Sequence, residues 1–418
     1  MVDVLIDNVF RNPPILLGLV AALGFALQRH SISELLKGAS LAALGMFILE
    51  LGVDILTESI APVNDLFQKI TGAEPDNGLD DAAFTGDFGG EIGTAMVIGM
   101  VIHVLIARFT PIKTIFLTGH FLWWFPFIFV AAGVEADLSG ATLIGFAAVL
   151  SALYWSIVPW ILRPYVESVT EDDSFTLGHP SGILVIVSGF IAKRIGNKEN
   201  STEDMKLHKS LSFLREISVT GGILIFLMFL ILGFGIEGAF AEADQPVFFY
   251  AIGQGIQFGA GLVILLQGVR MLVNQILPAF QGISEKLIPN AVPALDAPIL
   301  FNYKPNAVLI GFITAMIVST ALIFIANVTQ VFGLLLIPLV ITSFFECGAA
   351  AVVGEGQGGV RGAVIGGGVA AAVMVGLVGI SAVIYSTTIQ NWILIFGGND
   401  LSLWGTITSV LAEAIPFL

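Results

Sequence analysis

The chain has 418 residues, of which 56% are hydrophobic and only 12% charged, about half the charged content of an average soluble domain. That balance, with a mean hydropathy of +0.93, excludes a soluble globular enzyme and predicts an all-α polytopic membrane protein. The net charge of -15 argues against nucleic acid or anionic lipid as a partner, and the lone Cys347 excludes a disulfide framework within one chain and a cysteine-rich metal site.

Taken in chain order, apolar runs fall at 14–28, 39–60, 92–108, 114–133, 139–162, 218–236, 247–276, 306–326, 329–345 and 362–387. Each is long enough, or nearly so, to cross a hydrocarbon core, which predicts about ten transmembrane helices. The stretch 403–418 is apolar but short and is interrupted by Glu413; it is expected to lie in the interface as a terminal helix. No basic segment precedes a short apolar core with a cleavage site, so the whole chain is expected to be mature protein.

Lysine and arginine stay in cytoplasmic loops. Threading the spans in order puts every basic residue on one side except Arg11, Lys69 and Arg270. Both termini are then expected outside a cell membrane. The outer loops carry Asp76, Asp80, Asp81 and Asp87, then Glu135 and Asp137, then Glu237, Glu242 and Asp244. Such a face is either an adaptation to salt or acid outside or simply a set of well-solvated loops. Between Arg163 and Arg215 an apolar stretch, 181–192, precedes a polar run. An amphipathic or re-entrant helix with a solvated linker is expected there; the connection is too short for a catalytic soluble domain.

An internal repeat organises the chain. Gly45, Ile48, Leu49, Gly52, Val53, Leu56, Ile60 and Pro62 recur without a gap as Gly261, Ile264, Leu265, Gly268, Val269, Leu272, Ile276 and Pro278. The two copies are the second and seventh spans, an odd number of crossings apart, so two halves of five with opposite topology are predicted. Inverted repeats belong to secondary-type transporters, whose sites lie near the midplane where helices are broken. Two such breaks are Ser174 to Pro180, and Ser343 to Gly348 with the glycine-rich 354–359 behind it; both read as re-entrant hairpin tips. The glycine run lacks the Gly-Lys-Ser/Thr ending of a phosphate loop, so no nucleotide cofactor is expected.

Ionisable groups within spans are functional candidates by default. Glu50, Asp54 and Glu58 share one helix face and line a cation path, a domain interface or an outer mouth. His120 opens an aromatic stretch with Phe121, Trp123, Trp124 and Phe125; it is either part of a sugar site, where rings stack and imidazole bonds hydroxyls, or an interfacial belt. His179 lies between Gly178 and Pro180 at a hairpin tip. Asp296 stands between two prolines, either as a carboxylate that accepts a hydroxyl proton or as the N-cap of the eighth span. No cluster has metal-ligand spacing, so no metal is expected.

On these residues the chain resembles the membrane-embedded IIC component of the bacterial phosphoenolpyruvate-dependent sugar phosphotransferase system, ascorbate type. The likeness rests on Thr110 to His120, Ser174 to His179, Gly268 to Arg270 with Ala279 to Ser284, Leu287 to Val292 with Asp296, and Pro305 to Val308 with Gly311. It implies a homodimer in one membrane domain over 1–418. A scaffold (10–62 and 218–280) would hold a core (92–192 and 285–390) that moves like an elevator, with a cytoplasmic linker at 193–217. It further implies that His120, Gly178, His179 and Asp296 contact the sugar or sugar acid, and that phosphate arrives from a cysteine on a separate IIB protein, itself served by IIA.

Three departures accompany the resemblance. Trp124 and Pro180 stand where ascorbate-specific members carry glutamines, Glu346 replaces a small polar residue, and the chain stops about where an eleventh span would begin. The expected function is therefore translocation of ascorbate or a related sugar, sugar acid or polyol. Asp296 would orient or deprotonate the accepting hydroxyl with Glu346 in support, and His120, Trp124 and His179 would hold the ring. The rivals are a same-fold facilitator or ion-coupled carrier and a non-transporting sugar sensor.

Overall fold

The computed structural model describes residues 8–9, 12–71, 81–204, 216–389 and 397–413. Arg11, Asp76, Asp80, the linker residues 205–215 and the last five positions lie outside the described residues. In chain order the elements are α1 (Pro13–Leu27), α2 (Ile32–Thr71), α3 (Asp81–Phe109), β1 (Thr114–Phe116), α4 (Gly119–Glu135), α5 (Gly140–Thr170), β2 (Thr176–Leu177) and α6 (Gly182–Ile195). After these come α7 (Ile217–Gly235), α8 (Val247–Lys286), β3 (Val292–Leu295), α9 (Pro298–Phe301), α10 (Pro305–Thr329), α11 (Val340–Tyr385) and α12 (Asp400–Glu413). Seven of the described helices are long and apolar enough to cross a bilayer, and Pro13–Leu27 and Gly119–Glu135 are shorter apolar ones.

Helix starts follow local chemistry. Asn12 accepts from the Ile15 amide ahead of Pro13 and Pro14, and Ser31 and Glu34 exchange hydrogen bonds in a capping box at the head of α2. The repeat glycines mark where α2 and α8 cross. A Cβ on Gly45 would stand 2.5 Å from the Leu272 amide, on Gly52 2.4 Å from that of Leu265, and on Gly268 2.3 Å from that of Leu49. Rising numbers on α2 meet falling numbers on α8, so the helices are antiparallel, held at the short distance that small residues permit.

α11 contains two legs. Gly359 has φ 63° and ψ -154°, a region open essentially to glycine. A Cβ on Gly354 would lie 2.4 Å from the Gly362 carbonyl, whereas eight residues of straight helix span about 12 Å. The chain therefore doubles back at Gly358 and Gly359. With that hairpin counted as two, ten apolar helical legs are present among the described residues, nine of them near the positions expected.

Two expectations change. The run 329–345 is not one helix: Gln330 and Gly333 take positive φ, and the next helix starts at Val340, after Pro338. Asn327 holds the intervening segment by both bonding to and accepting from the Leu336 backbone. Ser343 to Gly348 consequently lies inside a helix; the hairpin tip is Gly358–Gly359. The end of the chain also differs, because α12 begins at a buried Asp400 and packs against α4 and α11 instead of lying apart as a surface helix. Its buried side is built mainly of small residues, among them Ser402, Gly405, Thr408, Ser409 and Ala412, while Val410 and Leu411 face outward.

The helices pack as two groups. α1, α2, α7 and α8 contact one another extensively; α3 to α6 and α10 to α12 form the second group, with few contacts between the groups. Within the second group a small parallel sheet, ordered β1-β3-β2, places Thr114 opposite Val292 and Thr176 opposite Ala294. Thr114 and Thr176 donate their hydroxyls to the Ser156 and Pro159 carbonyls of α5, which ties the sheet to a long helix.

Candidate ligand cavity

The three parallel strands end together, and each delivers one polar residue. β1 leads through Thr118 into α4, where His120 is the second residue; β2 leads to Gly178 and His179; β3 leads directly to Asp296. Gly178 is a close-approach position, since its amide donates to the Leu295 carbonyl at 2.7 Å and an added Cβ would lie 2.8 Å from the Ala294 oxygen. Parallel strands thus converge three separate chain segments without a loop long enough to need its own core.

Asp296 stands between the two imidazoles. His179 Nε2 is 3.7 Å from Asp296 Oδ1 and His120 Nε2 is 3.9 Å from Oδ2; both exceed hydrogen-bond length. Asp296 Oδ1 accepts instead from the Ala297 amide at 2.8 Å. The short α9 that follows has Ala297 at its N-cap and the eighth span, α10, has Lys304, so Asp296 caps neither helix. His179 is 6% exposed, with Nδ1 3.2 Å from Ser181 Oγ and its ring edge-on to Phe121 at 5.0 Å.

A cavity of about 480 Å³ opens at this cluster, a size that suits a small polar ligand. Its walls come from both helix groups: Met46, Glu50, Asp54 and Thr57 from α2 face His120, His179, Asp296, Phe345 and Glu346. Glu346 is therefore at the site. Trp124 is one turn beyond His120, edge-on to Phe127, and is not among the lining residues. Glu58 is exposed and also stands apart from the cavity. Arg270 donates towards Asn302 Oδ1 at 3.4 Å.

Three neighbours escaped the sequence reading. Asn399 accepts from the Leu401 amide at 2.9 Å, leaving its Nδ2 to donate to Glu346 Oε1 at 3.0 Å. Asp400 accepts from the Gly182 and Ile183 amides at 3.1 and 2.7 Å and so caps α6. Tyr154 donates to Asp400 at 2.6 Å. Asn399 and Asp400 precede an apolar run, which is how a helix start reads, but nothing in that local pattern points to Glu346 or to α6.

His103 has a different task. Ser156 Oγ already donates to the Ala152 carbonyl, so it accepts from His103 Nδ1 at 2.8 Å, while Nε2 accepts from the Phe116 amide at 3.0 Å. The imidazole is a neutral clamp on β1, two residues before Thr118.

The arrangement offers hydroxyl-accepting carboxylates, two imidazoles and two phenyl faces, all reachable by one ligand. The profile of the PTS system sugar-specific permease components matches residues 8–400. This chain belongs to that family. The chain is similar to the protein named ascorbate-specific PTS system EIIC component from Mycoplasma pneumoniae, at 24% identity over 421 aligned positions. The match covers 87% of the chain and 64% of the relative, so the chain spans less than two thirds of that protein's length. Family and apolar helices together make it a multi-pass membrane protein.

Proposed function

We propose that the chain is a IIC permease that carries a sugar, sugar acid or polyol across the cell membrane and releases it to phosphorylation by a separate IIB protein, itself loaded by IIA. The observation that carries this reading is the cavity shared between the two helix groups. One wall is Glu50, Asp54 and Thr57 on α2; the other is His120, His179, Asp296 and Glu346. A ligand held at such a boundary changes sides when one group slides past the other, which is elevator transport.

In this reading α1, α2, α7 and α8 are the scaffold of a homodimer, and the second group is the mobile core. On that division the described residues 12–71 and 216–286 make the scaffold and 81–204, 287–389 and 397–413 make the core. An inverted repeat accounts for the order: α1 and α2 correspond to α7 and α8, α3 to α10, α4 and α5 to the legs of α11, and α6 to α12. The basic loops then face the cytoplasm and the termini face outward. Asp296 orients or deprotonates the hydroxyl that accepts phosphate.

Uptake by proteoliposomes with and without purified IIB, IIA and a phosphoryl donor tests the coupling. Accumulation only with the donor system is expected. Uptake without it would favour a carrier coupled to an ion, a second reading supported by Glu50 and Asp54 in the cavity wall.

A further inference from the structure

The charged side chains lining the cavity besides the two histidines are Glu50, Asp54, Asp296 and Glu346, with no lysine or arginine among the lining residues. Acidic character alone would say little. Glu346 adds an independent observation: it is 8% exposed, its Oε1 is taken by Asn399, and its Oε2 is buried with no protein partner. A buried carboxylate oxygen without a donor is unfavourable, and the arrangement is completed when a ligand in the cavity donates to it.

Asn399 holds this geometry from a fixed direction, because its own Oδ1 is occupied by the Leu401 amide. The only freedom left at Glu346 is at Oε2. An anionic ligand would add like charge to a wall that carries the acidic side chains Glu50, Asp54, Asp296 and Glu346, with the two imidazoles near Asp296 as the basic groups among the described lining residues. A neutral hydroxyl donates to Oε2 without that repulsion.

We propose that Glu346, oriented by Asn399, is a specificity-determining residue that selects neutral polyhydroxy ligands and rejects sugar acids. The inference rests on the reading of this cavity as the sugar site. It separates the charge of the ligand from its ring shape: Phe121 and Phe345 supply apolar faces to either class, and Glu346 decides between them.

Calorimetric binding to the full-length protein in lipid nanodiscs tests this, with neutral pentoses, pentitols and hexitols, and with ascorbate, as probes. The wild type is expected to bind its best neutral ligand at least about tenfold tighter than ascorbate, and Glu346→Gln to shrink that ratio by roughly tenfold. Glu346→Ser, which removes the charge with a smaller side chain, reads the same ratio should the glutamine variant fold poorly. Ascorbate binding as tightly as the neutral ligands, or a ratio unmoved in both variants, would overturn charge selection while His179→Ala still abolishes binding. Failure of every probe, or binding that His179→Ala leaves unaltered, would instead overturn the cavity as the sugar site.

Discussion

The Tyr154 hydroxyl donates to Asp400 Oδ2 at 2.6 Å, joining the middle of α5 to the first residue of α12. The same carboxylate caps α6, and the Asp400 amide donates back to the Pro180 carbonyl at 2.6 Å. Two short helices therefore begin at one point, beside His179. Asp400→Ala leaves two amides unpaired and the Tyr154 hydroxyl with only the His179 carbonyl, 3.4 Å away, and is expected to cost about 3 kcal/mol, with Asp400→Asn and Tyr154→Phe costing less. Thermal unfolding of the purified protein in detergent checks the order, and ligand affinity should fall with stability because His179 loses its support.

His103 makes a second expectation specific. His103→Leu removes the acceptor of the Phe116 amide and the donor to Ser156, a loss of about 2 kcal/mol for a buried pair. Ligand binding should weaken with it, since β1 positions His120. Equal stability of the variant and the wild type in a denaturation series would refute the clamp.

These residues show what the sequence made legible. His120, His179 and Asp296 were visible because glycine and proline interrupt apolar runs around them, and a polar group in such a break has no packing reason to be there. The paired glycines were visible as a repeat, and the crossing of α2 and α8 that they permit emerged only from the structure. Trp124 was chosen because spacing places it on the His120 face, and spacing does not say how far the cavity extends along that face. Asn399 and Asp400 were hidden because they act across the chain on Glu346 and α6, and nothing local announces a cap for someone else's helix.

The α11 turn gives a third prediction. Gly359→Ala meets both a positive φ and the Asn197 carbonyl, 2.1 Å from the added Cβ. A loss of about 3 kcal/mol or more is expected, against a far smaller effect for Gly376→Ala, where nothing lies within 4 Å. Comparable expression and melting of the two variants would contradict the doubled-back helix.

Beside that turn the loop after α6 is fastened to the hairpin. Glu355 accepts from Ser201, from the Thr202 amide and from Thr202 Oγ1, and Lys304 Nζ lies 3.5 Å away. Glu203 accepts from the Asn306 amide and side chain at 2.9 and 2.7 Å. Burial, partly opposed by the Asn306 amide and reinforced by Glu355, holds the Glu203 carboxyl above its ordinary 4.5. A raised folded value means that protonation favours the fold: the contribution is present at low pH and is lost as pH rises through that value. The stability difference between wild type and Glu203→Ala should therefore shrink as pH rises from about 4.5 through the raised folded value, measured by chemical denaturation; growth as pH rises would reverse the sign.

The account turns on a cavity that faces each side of the membrane in turn. Phe345→Cys, made in a Cys347→Ala background, puts the only thiol in the cavity wall. Labelling with a membrane-impermeant maleimide in right-side-out and in inverted vesicles measures access directly. Modification from both faces, slowed from each by bound ligand, is the predicted result; modification from one face alone, or at a rate ligand does not change, would contradict it.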